Sequence, residues 1–219
     1  MERIWRVVLP ALLLCVILTG CGGNTANGPG EQQNAPEQEE KKEYAPGERT
    51  DTSYSSEWIG LRYALSDDMV MATEEELNEM MDLGAEALLD GDGGSKLVDY
   101  AKLTTVYEMM AVDLTDQSNI IICAEKLALS GVTEKQYLEA VQTQMEDVYS
   151  GYTVTYGDIT ERELCGMAFS EMSYLVDYGG ASLYQTYLVR KLDGRMYGIV
   201  LSYSDEARLE ALLEGFSAY

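Results

Sequence analysis

The sequence predicts an α+β domain over residues 57–219, a mainly antiparallel sheet packed by three main helices. Three observations predict it. First, Asp193-Gly194 separates two apolar-rich runs, Ser182–Lys191 and Arg195–Tyr203, which is a hairpin signature. Second, Thr73-Glu74-Glu75-Glu76 and Thr133-Glu134-Lys135-Gln136 are capping boxes, with a hydroxyl at the cap and an acceptor three residues on. Third, the stretch from Thr153 to Tyr203 carries strand signals alone. Hairpin-linked strands with interspersed helices give an antiparallel sheet packed by helices.

Taken in order, Trp58–Leu65 reads as a first strand and Asp68–Ala72 as a short second one. Behind the first capping box, Leu77, Met80, Met81, Gly84 and Leu88 share one helical face. Asp90-Gly91-Asp92-Gly93-Gly94 ends that helix. Thr105–Leu114 and Asn119–Leu127 follow as strands, and the unbroken Ile120-Ile121-Ile122 implies a strand covered on both faces. Behind the second box, Tyr137, Leu138, Val141, Met145 and Val148 make a helical stripe. Thr153–Thr160 and Cys165–Asp177 precede the hairpin as two more strands. A helix over Asp205–Phe216, capped by Ser204 or Asp205, closes the chain and buries Leu209, Leu212, Leu213 and Phe216.

The N-terminus has a different character. Arg3 and Arg6 precede an apolar core from Val7 to Leu18, the layout of a secretory signal peptide. The core is shorter than the roughly 20 residues that span a bilayer. Leu18-Thr19-Gly20-Cys21 resembles the lipobox of bacterial lipoproteins. That resemblance implies cleavage after Gly20, so that residues 1–20 are the leader, and lipid attachment at Cys21. Two or more acyl chains hold a protein stably on a membrane. Residues 21–56 are rich in Gly, Pro, Gln, Glu and Ser and have little to bury, so they are expected to form a disordered tether. About 34 such residues would span roughly 30–35 Å on average.

Charge and composition exclude several functions. The chain carries a net −23, and residues 58–219 carry −19 from 29 acidic and ten basic residues. Such a surface repels phosphate backbones, so no nucleic-acid partner is expected. Histidine is absent, which removes Ser-His-Asp and Cys-His catalysis and the usual His-containing zinc sites. Cys123 and Cys165 are the domain's two thiols. Outside the cytoplasm they could pair, although two buried free thiols are the preferred reading.

Several stretches together resemble the PsbP-like fold. These are Trp58-Ile59-Gly60-Leu61, Gly131-Val132-Thr133 leading into Tyr137-Leu138, Gly166-Met167-Ala168-Phe169, and Tyr184-Gln185-Thr186-Tyr187-Leu188-Val189-Arg190. The fold occurs in a photosystem accessory protein, a Ran-binding nuclear protein and small Gram-positive lipoproteins. The resemblance implies an α/β/α sandwich with an accessory or binding role and brings no shared active site.

The remaining candidates for chemistry are few. Asp90-Gly91-Asp92-Gly93-Gly94 fails the calcium-loop pattern, because Gly94, Ser95 and Ala101 stand where a ligand, glycine and glutamate are needed. Glu161 and Glu163, near Asp158, are close acids of the kind a −19 domain contains by chance. No catalytic residue, metal ligand or cofactor is therefore expected. Six tyrosines, Tyr174, Tyr178, Tyr184, Tyr187, Tyr197 and Tyr203, sit on the late strands, either as core rings or as the lining of a groove. Arg190, Lys191 and Arg195 meet at the hairpin tip. They read as a solvated turn that deters edge pairing, or as a contact for an acidic partner or wall-polymer phosphate.

The binding residues expected on this basis are Tyr184, Tyr187, Arg190, Lys191 and Arg195. The expected function is a non-enzymatic binding or accessory lipoprotein on the extracytoplasmic face of the cell membrane, held by lipid on Cys21 and meeting an envelope protein or polymer. The alternatives are a carboxylate-based enzyme acting on envelope polymers and a structural, oligomer-forming lipoprotein.

Overall fold

The computed structural model describes residues 43–79 and 104–219. The leader, Cys21, the tether to residue 42, the helical face from Met80 to Leu88 and the Asp90–Gly94 loop lie outside the described residues.

Two antiparallel sheets form the core. The larger has eight strands: β4 (Met69–Met71), β5 (Thr105–Asp113), β6 (Asn119–Lys126), β11 (Arg195–Tyr203), β10 (Ser182–Leu192), β9 (Met167–Asp177) and β7 (Thr153–Tyr156), with β8 (Thr160–Leu164) also paired to β9. The smaller sheet runs β1 (Glu48–Arg49), β2 (Ser53–Ser56), β3 (Leu61–Ala64), β12 (Phe216–Ala218). Two helices have their full extent described, α1 (Glu134–Val148) and α2 (Glu206–Leu213), and residues 74–79 begin another.

Period-2 alternation in the large sheet supplies two cores at once. Met110, Ile121, Cys123, Tyr174, Tyr187 and Val200 face α1, where Tyr137, Leu138, Val141 and Met145 meet them. The intervening Met109, Ile120, Ile122, Leu188, Ile199 and Leu201 face the other way, toward β2, β3 and the α2 residues Leu209, Leu212 and Leu213. Helices thus cover both faces, as expected, and the small sheet shares the second layer with α2. Ile120, Ile121 and Ile122 are all fully buried.

The local signals explain the element ends. Thr133 caps α1, its hydroxyl accepting from Gln136 N while the Gln136 side chain accepts from Thr133 N. Thr73 and Glu76 do the same for residues 74–79. Asp205, rather than Ser204, caps α2 by accepting from Arg208 N. Asp193 and Gly194 both have positive φ, 46° and 78°, the pattern of a two-residue hairpin turn.

Four expectations need correction. Residues 43–56 belong to the fold, not the tether. Tyr44 and Tyr54 donate their hydroxyls to Glu108, which is 3% exposed, and Gly47 N donates to the same carboxylate (2.8 Å). Glu108 is the extra residue of a bulge, since Tyr107 and Met109 pair with the adjacent Cys123 and Ile122. A bulge re-aims a side chain, and here it turns Glu108 toward the small sheet. The first strand is shorter than Trp58–Leu65, because residues 57–60 form the turn into β3 and Trp58 and Ile59 pack from it.

Cys165 lies in a turn with Gly166 (φ 53° and 79°), so Thr160–Leu164 and Met167–Asp177 form a hairpin. Cys123 is buried on the α1 side, while Cys165 is half-buried at the opposite core. Neither is in a disulfide, and burial pushes the Cys165 thiol pKa up.

Phe216 begins β12, paired with Tyr63, instead of ending α2. Gly215 makes the approach possible, because a Cβ there would sit 2.5 Å from the Tyr63 ring and 2.8 Å from Ala64 O. Gly215→Ala is expected to lower unfolding stability by about 1–3 kcal/mol, an overpacking cost. Chemical denaturation checks this, and an unchanged midpoint would contradict the close approach.

Candidate functional site

The five expected binding residues do not form one surface. In a strand, residues three apart point to opposite faces, and Tyr184 and Tyr187 do so. Tyr187 is fully buried beneath α1, stacked on Tyr174 at 5.8 Å, with its hydroxyl toward Met145 Sδ. Burial raises its phenol pKa. Tyr174, Tyr197 and Tyr203 are buried as well, so most of the late-strand tyrosines are core rings. Tyr178 and Tyr184 remain partly open.

The basic hairpin serves its own chain. Lys191 Nζ donates to Ser130 O (2.6 Å) and Val132 O (2.7 Å), and Lys191 N donates to Glu134 Oε1 (3.1 Å). These bonds tie β10 to the start of α1. The Arg195 guanidinium lies 3.8 Å from the centroid of the Tyr44 ring, a cation–π contact that helps hold the N-terminal strap. Arg190 Nη1 reaches Ala168 O on the neighbouring strand (3.4 Å). Two of the tip's three cations, Lys191 and Arg195, are thus engaged by close contacts within the fold.

Tyr184 sits elsewhere, in a groove of about 420 Å³ on the α2 side of the large sheet. Its ring stacks on that of its cross-strand partner Tyr203, with centroids 5.7 Å apart and planes 14° from parallel. Tyr203 is fixed from behind by a hydroxyl chain, Tyr203 to Thr186 (2.8 Å) to Ser173 (2.7 Å). Burial raises the Tyr203 phenol pKa. Among the described residues the Tyr184 hydroxyl has no hydrogen-bond partner.

The wall opposite is charged. Arg162 Nε donates to Glu171 Oε2 (3.0 Å) and its Nη1 to Glu210 Oε1 (3.4 Å), bridging β8, β9 and α2. The Glu171 hydrogen bond is the main reason the Arg162 guanidinium pKa stands above its ordinary value. Glu206, in the first turn of α2, and Thr155 on β7 complete the rim. Glu161 and Glu163 alternate with Arg162 along β8 and are exposed, so they lie outside this groove.

Of the residues lining this groove, sequence reasoning named Tyr184 as a binding residue and did not name Arg162, Glu171, Glu206 or Glu210. Their one local signal is the Glu-Arg-Glu alternation in β8, which sets Arg162 on the side opposite Glu161 and Glu163. Among the described residues no cluster of three His, Cys, Asp or Glu side chains could hold a metal ion. No described helix is long and apolar enough to cross a membrane.

No family model matches the chain, and no curated protein matches it. Among solved structures it is similar to cyanobacterial PsbP (CyanoP) from Synechocystis sp. PCC 6803, with 13% identity, a TM-score of 0.48, and coverage of 92% of this chain and 99% of that one. It is also similar to LpqN, involved in cell envelope biogenesis of Mycobacterium tuberculosis, with 11% identity, a TM-score of 0.37, and coverage of 72% and 82%. At these identities and scores, function has to be argued from the chain's own residues.

Proposed function

We propose that the chain is a lipid-anchored, extracytoplasmic lipoprotein whose domain binds an envelope component, without catalysing a reaction, through the groove at Tyr184. The observation that carries the choice of site is the contrast between the two candidates. Two of the three hairpin cations, Lys191 and Arg195, are occupied by Ser130, Val132 and Tyr44, whereas Tyr184 lines an open groove. The groove's chemistry favours binding over acid–base catalysis. Two of its three carboxylates are already held by the same guanidinium, Arg162. The anchor rests on Leu18-Thr19-Gly20-Cys21 and the apolar leader before it.

Labelling cells with a fatty acid tests the anchor. The wild type takes up label and stays with the membrane fraction, and Cys21→Ala does neither. Equal label in both would remove the lipoprotein reading. A pull-down from crosslinked cells tests the binding role. Recovery of a specific envelope component, lost in Tyr184→Ala and kept in Arg190→Ala, is the expected result.

A further inference from the structure

Resting on that reading of the groove, we propose that its ligand is a neutral sugar, one or two pyranose rings of an envelope glycan seated against Tyr184. The outer face of a stacked tyrosine pair is a flat apolar platform, and the Tyr184–Tyr203 pair is close to parallel. The C–H face of a pyranose matches such a platform, while its ring of hydroxyls needs donors and acceptors around the edge. The groove supplies both kinds. Glu206, Glu210 and Glu171 accept, Arg162 donates, and the Thr155 hydroxyl does either. A volume of about 420 Å³ falls in the range of small-ligand sites.

Charge separates this guest from the two obvious competitors. An anionic polymer would approach a domain whose residues 58–219 alone carry a net −19, and would meet Glu206 at the rim. A cationic side chain would find Glu171 and Glu210 already bound to Arg162, whose own charge opposes it. A neutral polyol meets neither obstacle. It can accept from Arg162 and donate to the carboxylates without breaking an ion pair. Tyr203 is held by Thr186 and Ser173, so the platform is rigid before a ligand arrives.

The test is calorimetric titration of the full-length protein, in a sugar-free detergent, with maltotriose, cellotriose and N,N′,N″-triacetylchitotriose. At least one is expected to bind with a Kd of about 0.1–5 mM. Tyr184→Ala weakens it at least about fivefold, the size of a lost aromatic contact. Tyr184→Phe, which keeps the ring, binds like the wild type, and so does Arg190→Ala. The proposal is overturned if none of the three binds more tightly than about 10 mM, or if Tyr184→Ala binds as the wild type does. Tetralysine and polyglycerol phosphate are the comparison probes. Tyr184-dependent binding of either, with no sugar bound, overturns the neutral-sugar proposal and leaves the groove standing as the binding site. A pull-down indifferent to Tyr184 would instead remove the groove itself.

Discussion

Replacing Glu108 with alanine is expected to lower the unfolding free energy by about 3–4 kcal/mol. The carboxylate is buried and accepts from Tyr44, Gly47 and Tyr54. Hydrogen bonds to a charged group contribute about 1.5–3 kcal/mol each. Part of that loss is recovered, because Tyr44 and Gly47 can reach water once the strap lifts. Tyr54 cannot, since it is 1% exposed and retains only the Tyr197 hydroxyl at 3.2 Å. Burial, with Tyr197 and Glu108 alongside, already pushes the Tyr54 phenol pKa far up, so ionisation offers no relief at neutral pH. The strap should fray first. Trypsin cleavage after Arg49, which lies in β1, is expected to become fast in Glu108→Ala. Glu108→Gln keeps an acceptor but turns a donor toward one of the three partners, so about half the loss is expected. Urea denaturation ranks the three proteins, and a Glu108→Ala midpoint equal to wild type would dismiss the clamp.

Arg208→Met is expected to cost about 2–3 kcal/mol at neutral pH and to flatten the acid limb of the stability profile. Arg208 is three-quarters buried and contacts Asp113 directly, Asp116 at 2.9 Å and Ser118 Oγ at 3.2 Å, joining α2 to the turn between β5 and β6. Burial alone would raise the Asp113 carboxyl pKa. The Thr115 hydroxyl and amide, then Arg208, outweigh burial and hold it below its ordinary 3.8. A depressed carboxylate stabilises the fold fully above its unfolded pKa, and that stabilisation disappears as pH falls through the folded value. Wild-type stability should therefore fall from about pH 5 downward. In Arg208→Met burial is less opposed, so the fall is smaller and the two curves converge in acid. Parallel curves would show that Arg208 acts by packing alone.

These two clusters also show why parts of the fold were hidden in the sequence. The features that could be read are local. Thr133 with Gln136, and Asp193 with Gly194, each declare themselves within four residues. Ile120-Ile121-Ile122 declares two-sided burial because no solvent-facing position breaks it. The strap could not be read, because its meaning lies in Glu108, 54 to 64 residues away and turned inward by a bulge. Taken alone, Tyr44 and Tyr54 are two rings in a polar stretch, which looks like tether.

Phe216 fits the helical spacing of Leu209, Leu212 and Leu213, so only the contact of Gly215 with Tyr63 reveals that the chain has turned into a strand. Cys165-Gly166 adopts a hairpin turn without the Asn-Gly or Asp-Gly pair that advertises one. The site was partly legible. Period-2 geometry already separates Tyr184 from Tyr187. The Arg162–Glu210 contact spans 48 residues, and nothing local connects them.

We expect Tyr184, and not the hairpin tip, to meet the envelope. A photo-crosslinking amino acid placed at position 184 in living cells tests it most directly, with position 190 as the comparison. Adducts to envelope material from position 184 and none from position 190 are the predicted result. Adducts from position 190 alone would return the binding site to the hairpin.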